Sequence, residues 1–199
     1  GASGQFILGA FAAIYIGVKW TFVPVEFLWI VALCGSIVAG DLWGALAGIL
    51  KAYRNVNEVI TSIMLNYIGM YLVNFLVVNT VFDLTRNQSI APMNAYLPRA
   101  GMDLLFPFSS VNVGFIIAIG VAIIMYIVLE KATFGFELKA VGYNREASRY
   151  AGIDEKKSII LSMMIAGALS GLGGGLLYLS NTGKKNKKIN VLAAEGYNG

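Results

Sequence analysis

Long apolar runs broken by short polar clusters dominate this chain. Five stretches of 17 to 25 residues stand between charges, prolines and asparagines: 4–20, 27–50, 58–82, 112–130 and 158–180. An α-helix rises 1.5 Å per residue, so about 20 residues cross a hydrocarbon core about 30 Å thick. None of the stretches alternates with the period of two that barrel strands need, and only helices or closed barrels satisfy their own backbone in lipid. The pattern therefore predicts an all-α, polytopic transmembrane helical bundle with about five spans, forming one domain over residues 1–199.

Composition strengthens this reading. Apolar residues make up 57% of the chain and charged ones 13%, against about 45–50% and 25% in soluble domains. Disorder, collagen, coiled coil and a disulfide-stapled secreted fold are excluded. The net charge of +4 sits in clusters beside apolar spans, where lipid headgroups and loop orientation account for it better than nucleic acid does.

Histidine is absent and Cys34 is the sole cysteine. Histidine-based triads, HExxH metalloproteases and His or thiolate metal sites are therefore excluded. There is also no GxxxxGK[ST] phosphate loop, so uphill transport would need ATP hydrolysis on another chain or an ion gradient.

Loop charges bear on orientation. Lys51, Arg54, Lys131, Lys139, Arg145, Arg149, Lys156 and Lys157 fall on one side, expected to be cytoplasmic. Lys19, Arg86, Arg99, Lys184, Lys185, Lys187 and Lys188 fall on the other. Eight against seven does not decide orientation. Either the lysine tail is exported, or residues 158–180 form a broken or re-entrant segment, which the Gly173 to Gly175 cluster permits. Residues 83–111, with Pro92, Pro98 and Pro107, are too long for a simple connector and read as an extracytoplasmic cap. Residues 131–157 form a long loop on the other side. The chain opens on glycine, shows no signal peptide and closes in a polar run, so both ends read as cuts.

Several features are candidates for function. Ala32, Ser36, Gly40, Gly44 and Gly48 recur every four positions, as do Gly167, Gly171 and Gly175. Each series lines one helix face, suited either to static close packing or to sliding during a transport cycle. Asp41 lies ~14 Å inside its span by helical rise, so it must face protein or water. It suits a polar packing contact, a place on a solute path, or an ion-coupled carrier. Glu58 after Asn57 reads as a helix-start carboxylate. Ser62, Asn66, Met70 and Asn74 are spaced by four beside Tyr67 and Tyr71, giving a polar stripe on an apolar helix. Its amides and hydroxyls suit a neutral hydroxylated solute, or hydrogen bonds between helices. Within 133–157 a short helix is expected, capped by Asn144 and ended by Gly152. Ala147, Tyr150 and Ala151 form its small-plus-aromatic face, and Arg145, Glu146 and Arg149 its polar one. That shape suits either docking in another protein's groove or a solvated surface.

Glu146-Ala147-Ser148, three further residues and Gly152 resemble the EAA-x3-G loop of ATP-binding-cassette (ABC) importer permeases, with Ser148 in place of the second alanine. The run 133–153, the signature Asn57-Glu58-Val59-Ile60 to Met64-Leu65-Asn66-Tyr67, and the segments Gly4-Gln5-Phe6 and Gly196-Tyr197-Asn198-Gly199 resemble the nucleoside and simple-sugar branch, a relative of the branched-chain amino-acid permeases. Asp41 and Lys184 to Lys188 depart from its usual pattern. The resemblance covers essentially the whole chain and implies the central portion of a larger permease in a bacterial inner membrane. It implies a second permease subunit, homologous or identical, two cytoplasmic ABC ATPases that hold ATP and Mg, and an extracytoplasmic solute-binding lipoprotein. No cofactor is expected in this chain. The expected cargo is a nucleoside, with simple sugars or branched-chain amino acids as alternatives. Asn144, Arg145, Glu146, Ala147, Arg149, Tyr150 and Gly152 would couple to the ATPase. Ser62, Asn66, Tyr67, Asn74 and Asp41 would line the solute path, and Gly40, Gly44, Gly48, Gly167, Gly171 and Gly175 would pack the helices.

Overall fold

The computed structural model describes residues 2–54, 56–83, 88–98 and 112–180. Its helices are α1 (Ala2–Lys19), α2 (Val25–Arg54), α3 (Glu58–Thr80), α4 (Val113–Lys131), α5 (Thr133–Tyr143), α6 (Arg145–Tyr150) and α7 (Glu155–Leu179). Five of them, α1 to α4 and α7, are long and apolar enough to span a membrane. A two-residue antiparallel bridge, Phe82–Asp83 with Gln88–Ser89, and a 3-10 turn at Met93–Ala95 lie between α3 and α4. Charged residues extend the α2 and α7 helices past the apolar runs that mark them in the sequence.

The bundle is built on contact between backbones. As residue numbers fall along α2 they rise along α7, so the two helices run antiparallel. Gly48 meets Ile160 and Met163, Gly44 meets Met163 and Gly167, and Gly40 meets Gly167 and Gly171. A Cβ added at Gly40 would lie 2.8 Å from the Gly171 Cα, and one at Gly175 would lie 2.9 Å from the Ser36 Cβ, nearer than real Cβ atoms come. Glycine is required here because only its missing side chain lets the two helices approach so closely.

Helix α1 lies in the groove beside this pair, parallel to the second half of α7. Ser170 Oγ donates to the Ala2 carbonyl at 2.9 Å, Gly174 sits against Phe6 and Ala10, and Gly9 rests on Gly171. Gly171 thus touches both α1 and α2. Helix α7 also runs unbroken through Gly173, Gly174 and Gly175. This corrects the broken-helix reading: Gly174 and Gly175 serve close approach to α1 and α2, and no hinge interrupts the helix. The lysine tail, together with Arg86 and Arg99, lies outside the described residues.

Helix α3 closes the other side of α1. Val73, Val77 and Val81 interlock with Phe6, Ile7 and Ile14 in one apolar cluster, while Ala13, Leu28, Leu33 and Leu179 build a second around Ala95 and Leu97. The segment around Pro92 folds back over α1 at Gly17, and the Leu97 N–H donates to the Leu179 carbonyl. Helix α4 is the least covered: Ile117 and Val121 pack against the second cluster, yet the helix is apolar on all sides and only 6% of its most hydropathic window is buried. A helix apolar all round belongs in lipid or inside a larger bundle.

Replacing Gly171 by Ala in the full-length permease is expected to destabilise it by about 1–3 kcal/mol through overpacking. Gly120→Ala, where an added Cβ meets nothing within 4 Å, should be neutral or gain up to about 1 kcal/mol. Thermal unfolding midpoints in detergent compare the two; equal midpoints would refute the backbone joint.

Candidate solute path and coupling surface

The four-residue spacing on α3 turns Asn66, Met70 and Asn74 inward, and all three are buried. Asn66 Oδ1 accepts the Gly4 N–H at 2.9 Å, so a side chain of α3 satisfies the first turn of α1. Trp43 of α2 stands beside the same glycine, with its indole N–H buried and without an acceptor among the described residues. One turn below Asn66, half-buried Ser62 lines a cavity of about 230 Å³ together with Gln5, Trp43, Leu65 and Met163. Four spans, α1, α2, α3 and α7, contribute to this cavity.

The structure puts Ser62 in the lining of that cavity, while Asn66, one turn further on, is not among its lining residues and holds the Gly4 N–H. Asn74 lies two turns further along the same buried face. Tyr67 points away from the bundle at 48% exposure, and Tyr71 likewise. Asp41, half-buried one residue beyond Gly40, is not among the cavity's lining residues, and no hydrogen bond or ion pair reaches it among the described residues. Sequence reasoning missed Gln5, Trp43 and Met163. Trp43 did carry a signal, since a tryptophan deep within a span is out of place when its usual position is the interfacial belt.

At the start of α3, about one turn before Ser62, Asn57 provides the cap by accepting the Val59 N–H at 2.9 Å. The side chain of Glu58 lies outside the described residues.

The stretch expected to hold one short helix holds two, because 133–143 is also helical and meets α6 at a corner on Asn144. Asn144 Oδ1 accepts the Ala147 N–H at 3.1 Å. Ser148 Oγ donates to the Asn144 carbonyl at 2.8 Å from a buried position. The serine that replaces the second alanine of the EAA pattern thus turns back onto the first turn of α6, sharing the Asn144 carbonyl with its own N–H. At the far end the Gly152 N–H reaches the Arg149 carbonyl and the Ile153 N–H the Ser148 carbonyl, with Gly152 at φ 82°. These paired bonds form a Schellman motif, in which the left-handed position favours glycine. The result is a stiff six-residue helix that presents Ala147, Glu146, Arg149 and Tyr150 outward, with Tyr150 94% exposed.

A membrane-spanning bundle with a rigid capped helix at its basic end has the architecture of a transport permease. The chain belongs to the family described as branched-chain amino acid transport system / permease component, which it matches over residues 1–197. It is 38% identical to the guanosine ABC transporter permease protein NupP of Bacillus subtilis over 88% of this chain and 50% of that protein. It is 37% identical to the nucleoside ABC transporter permease protein NupB of Lactococcus lactis over 96% of this chain and 55% of that one. It is 30% identical to the glucose ABC transporter permease protein TsgB13 of Haloferax volcanii over 87% and 48%. The chain spans about half the length of these curated relatives. No solved structure gives a significant match. The chain is thus an integral membrane protein and a transport component, as the apolar spans and the EAA-like loop lead one to expect.

Asn144→Ala is expected to weaken α6 by about 1 kcal/mol, and Gly152→Ala by a similar amount. Hydrogen exchange of the amides from Ala147 to Ile153 should then accelerate about fivefold in each variant; unchanged protection would show that neither cap holds the helix.

Proposed function

We propose that this chain forms the central part of the membrane pore of an ABC importer that carries nucleosides. The observation that carries this reading is similarity over nearly the whole chain to permeases named for guanosine and nucleosides. The importer would comprise a second permease subunit, two cytoplasmic ABC ATPases holding ATP and Mg, and an extracytoplasmic solute-binding lipoprotein, assembled in a bacterial cell membrane. This chain would supply the path and its partners the ATPase site.

Coupling follows from the way α6 is mounted. Closure of the ATPases moves α6, and α6 is tied through the Gly152 turn to the start of α7, where Asp154 caps the helix by accepting the Lys156 and Lys157 N–H groups. Because α7 meets α2 and α1 through backbone, displacement of α6 tilts the three helices together. Asn144, Arg145, Glu146, Ala147, Arg149, Tyr150 and Gly152 form the coupling surface. The cavity at Ser62 and the buried amides of Asn66 and Asn74 favour an uncharged, hydrogen-bonding solute, with Trp43 providing an apolar ring beside it. Tyr67 and Asp41 belong to this path only where other parts of the transporter complete it.

The first test is uptake of labelled guanosine and uridine by cells carrying the complete transporter, compared with cells lacking this chain, with ribose, glucose and leucine as competitors. Uptake that depends on the chain and is blocked only by nucleosides is expected; dependence on glucose or leucine instead would remove the substrate assignment. In the same cells Ala147→Trp should cut uptake about tenfold or more by obstructing a central contact, and undiminished uptake would refute the role of α6. Asn66→Leu and Asn74→Leu should both lower uptake in assembled transporter, and normal rates in both would refute the path.

A further inference from the structure

Asp41 sits roughly midway along α2, about 20 Å by helical rise from Arg54 at the nearer end of that helix. One flank of it is the backbone joint, through Gly40 and Gly44. The other is a ridge of uncovered apolar side chains, with Val38 at 55% and Leu42 at 62% exposure, continued by Leu46 and Ile49. The carboxylate is half-buried at this edge, and no hydrogen bond or ion pair reaches it among the described residues.

Each neighbour that can cover such a face in a membrane meets a different part of it. Lipid tails suit the ridge but offer the carboxylate nothing, and a charge left in hydrocarbon is costly. Water suits the carboxylate but not a wall of Val38, Leu42, Leu46 and Ile49. A second copy of this chain, docked by the same face across a two-fold axis at Asp41, sets carboxylate against carboxylate where little water screens them. A helix that is apolar along its length and carries a Lys or Arg at the matching depth suits both parts. The described spans do not supply that residue, since their basic side chains, Lys19, Lys51, Arg54, Lys131, Lys156 and Lys157, all lie in terminal turns.

We propose that this face of α2 docks a further transmembrane helix that carries a lysine or arginine in mid-span, and that Asp41 is the carboxylate half of a membrane-buried ion pair with it. Such a pair fixes which helix docks and in what register, because every other register leaves two charges unpaired. Other parts of the transporter then meet Asp41 as a helix contact and not as a wall of the solute path. The proposal is independent of which solute is carried.

The test places the photoreactive residue p-benzoylphenylalanine at Val38, beside Asp41, in the full-length permease expressed with its natural partners. Irradiation should give an adduct whose peptide, sequenced by mass spectrometry, comes from an apolar span with an interior Lys or Arg. Asp41→Lys should lower the adduct yield about tenfold or more by setting like charges together. Replacing the identified basic residue by Asp in that same variant should restore the yield to within about twofold. Asp41→Glu should leave it unchanged. Adducts with phospholipid alone, with the same face of a second copy, or with a peptide lacking an interior basic residue overturn the proposal. Misinsertion of Asp41→Lys also lowers the yield, so the charge exchange decides: a yield that stays low after the exchange overturns the ion pair. Normal adduct yield with slowed uptake in Asp41→Asn overturns it as well, by placing the carboxylate on the solute path.

Discussion

The contact between glycine backbones at Gly40, Gly167 and Gly171 is the constraint on which the rest of the bundle depends. Lipid tails are as apolar as leucine, so helices in a membrane gain little by hiding apolar side chains from one another; they gain from close van der Waals packing. Removing the side chains from the facing stripes of α2 and α7 brings main chain against main chain and opens a groove narrow enough to hold α1. Gly171 belongs to both contacts, which fixes three helices at one point. Helix α3 then attaches to α1 by a different means, valine interlock plus the Asn66 to Gly4 hydrogen bond.

Such a joint has a mechanical consequence. Side chains can exchange rotamers and let helices slip, whereas facing backbones have no equivalent freedom. The glycine stripes, which in sequence suit either sliding or static packing, are in direct backbone contact in this structure. In the proposed coupling, motion entering at α6 would pass into α7, α2 and α1 together, leaving relative movement to surfaces outside the joint. Two such surfaces are present: the outward face of α3 with Tyr67, Tyr71 and Phe75, and the face of α4 away from Ile117 and Val121.

What the sequence made legible was what is local. Apolar run length located the five spans, a period of four located the glycine faces, and Asn144 with Gly152 bounded α6, because each signal lies within a few residues of the structure it causes. The partner of Asn66 was not legible. A polar residue every fourth position has the same appearance whether it meets solute or another helix, and the backbone N–H that Asn66 satisfies lies 62 residues away. Helix α5 was missed for a related reason: Thr133 to Tyr143 is short and mixed in polarity, and it is held by its neighbours, including the Lys139–Glu130 ion pair and the tight approach of Gly135 to the end of α4. The cluster Gly173 to Gly175 misled in the opposite direction. Glycine weakens a helix in isolation, but here α1 and α2 press on α7 at those positions and keep it helical.

Ser148 shows how a departure from a family pattern can carry structural information. In the EAA pattern the position holds alanine, a residue that packs but bonds nothing. At this corner the side chain is buried and the carbonyl of Asn144 lies within reach, so a hydroxyl adds a hydrogen bond without adding bulk outside the helix. The outward face, Ala147 with Glu146, Arg149 and Tyr150, stays as small and as charged as the pattern asks. The substitution falls on the side of α6 that faces its own protein, where a hydroxyl can be accommodated while the presented surface is left unaltered.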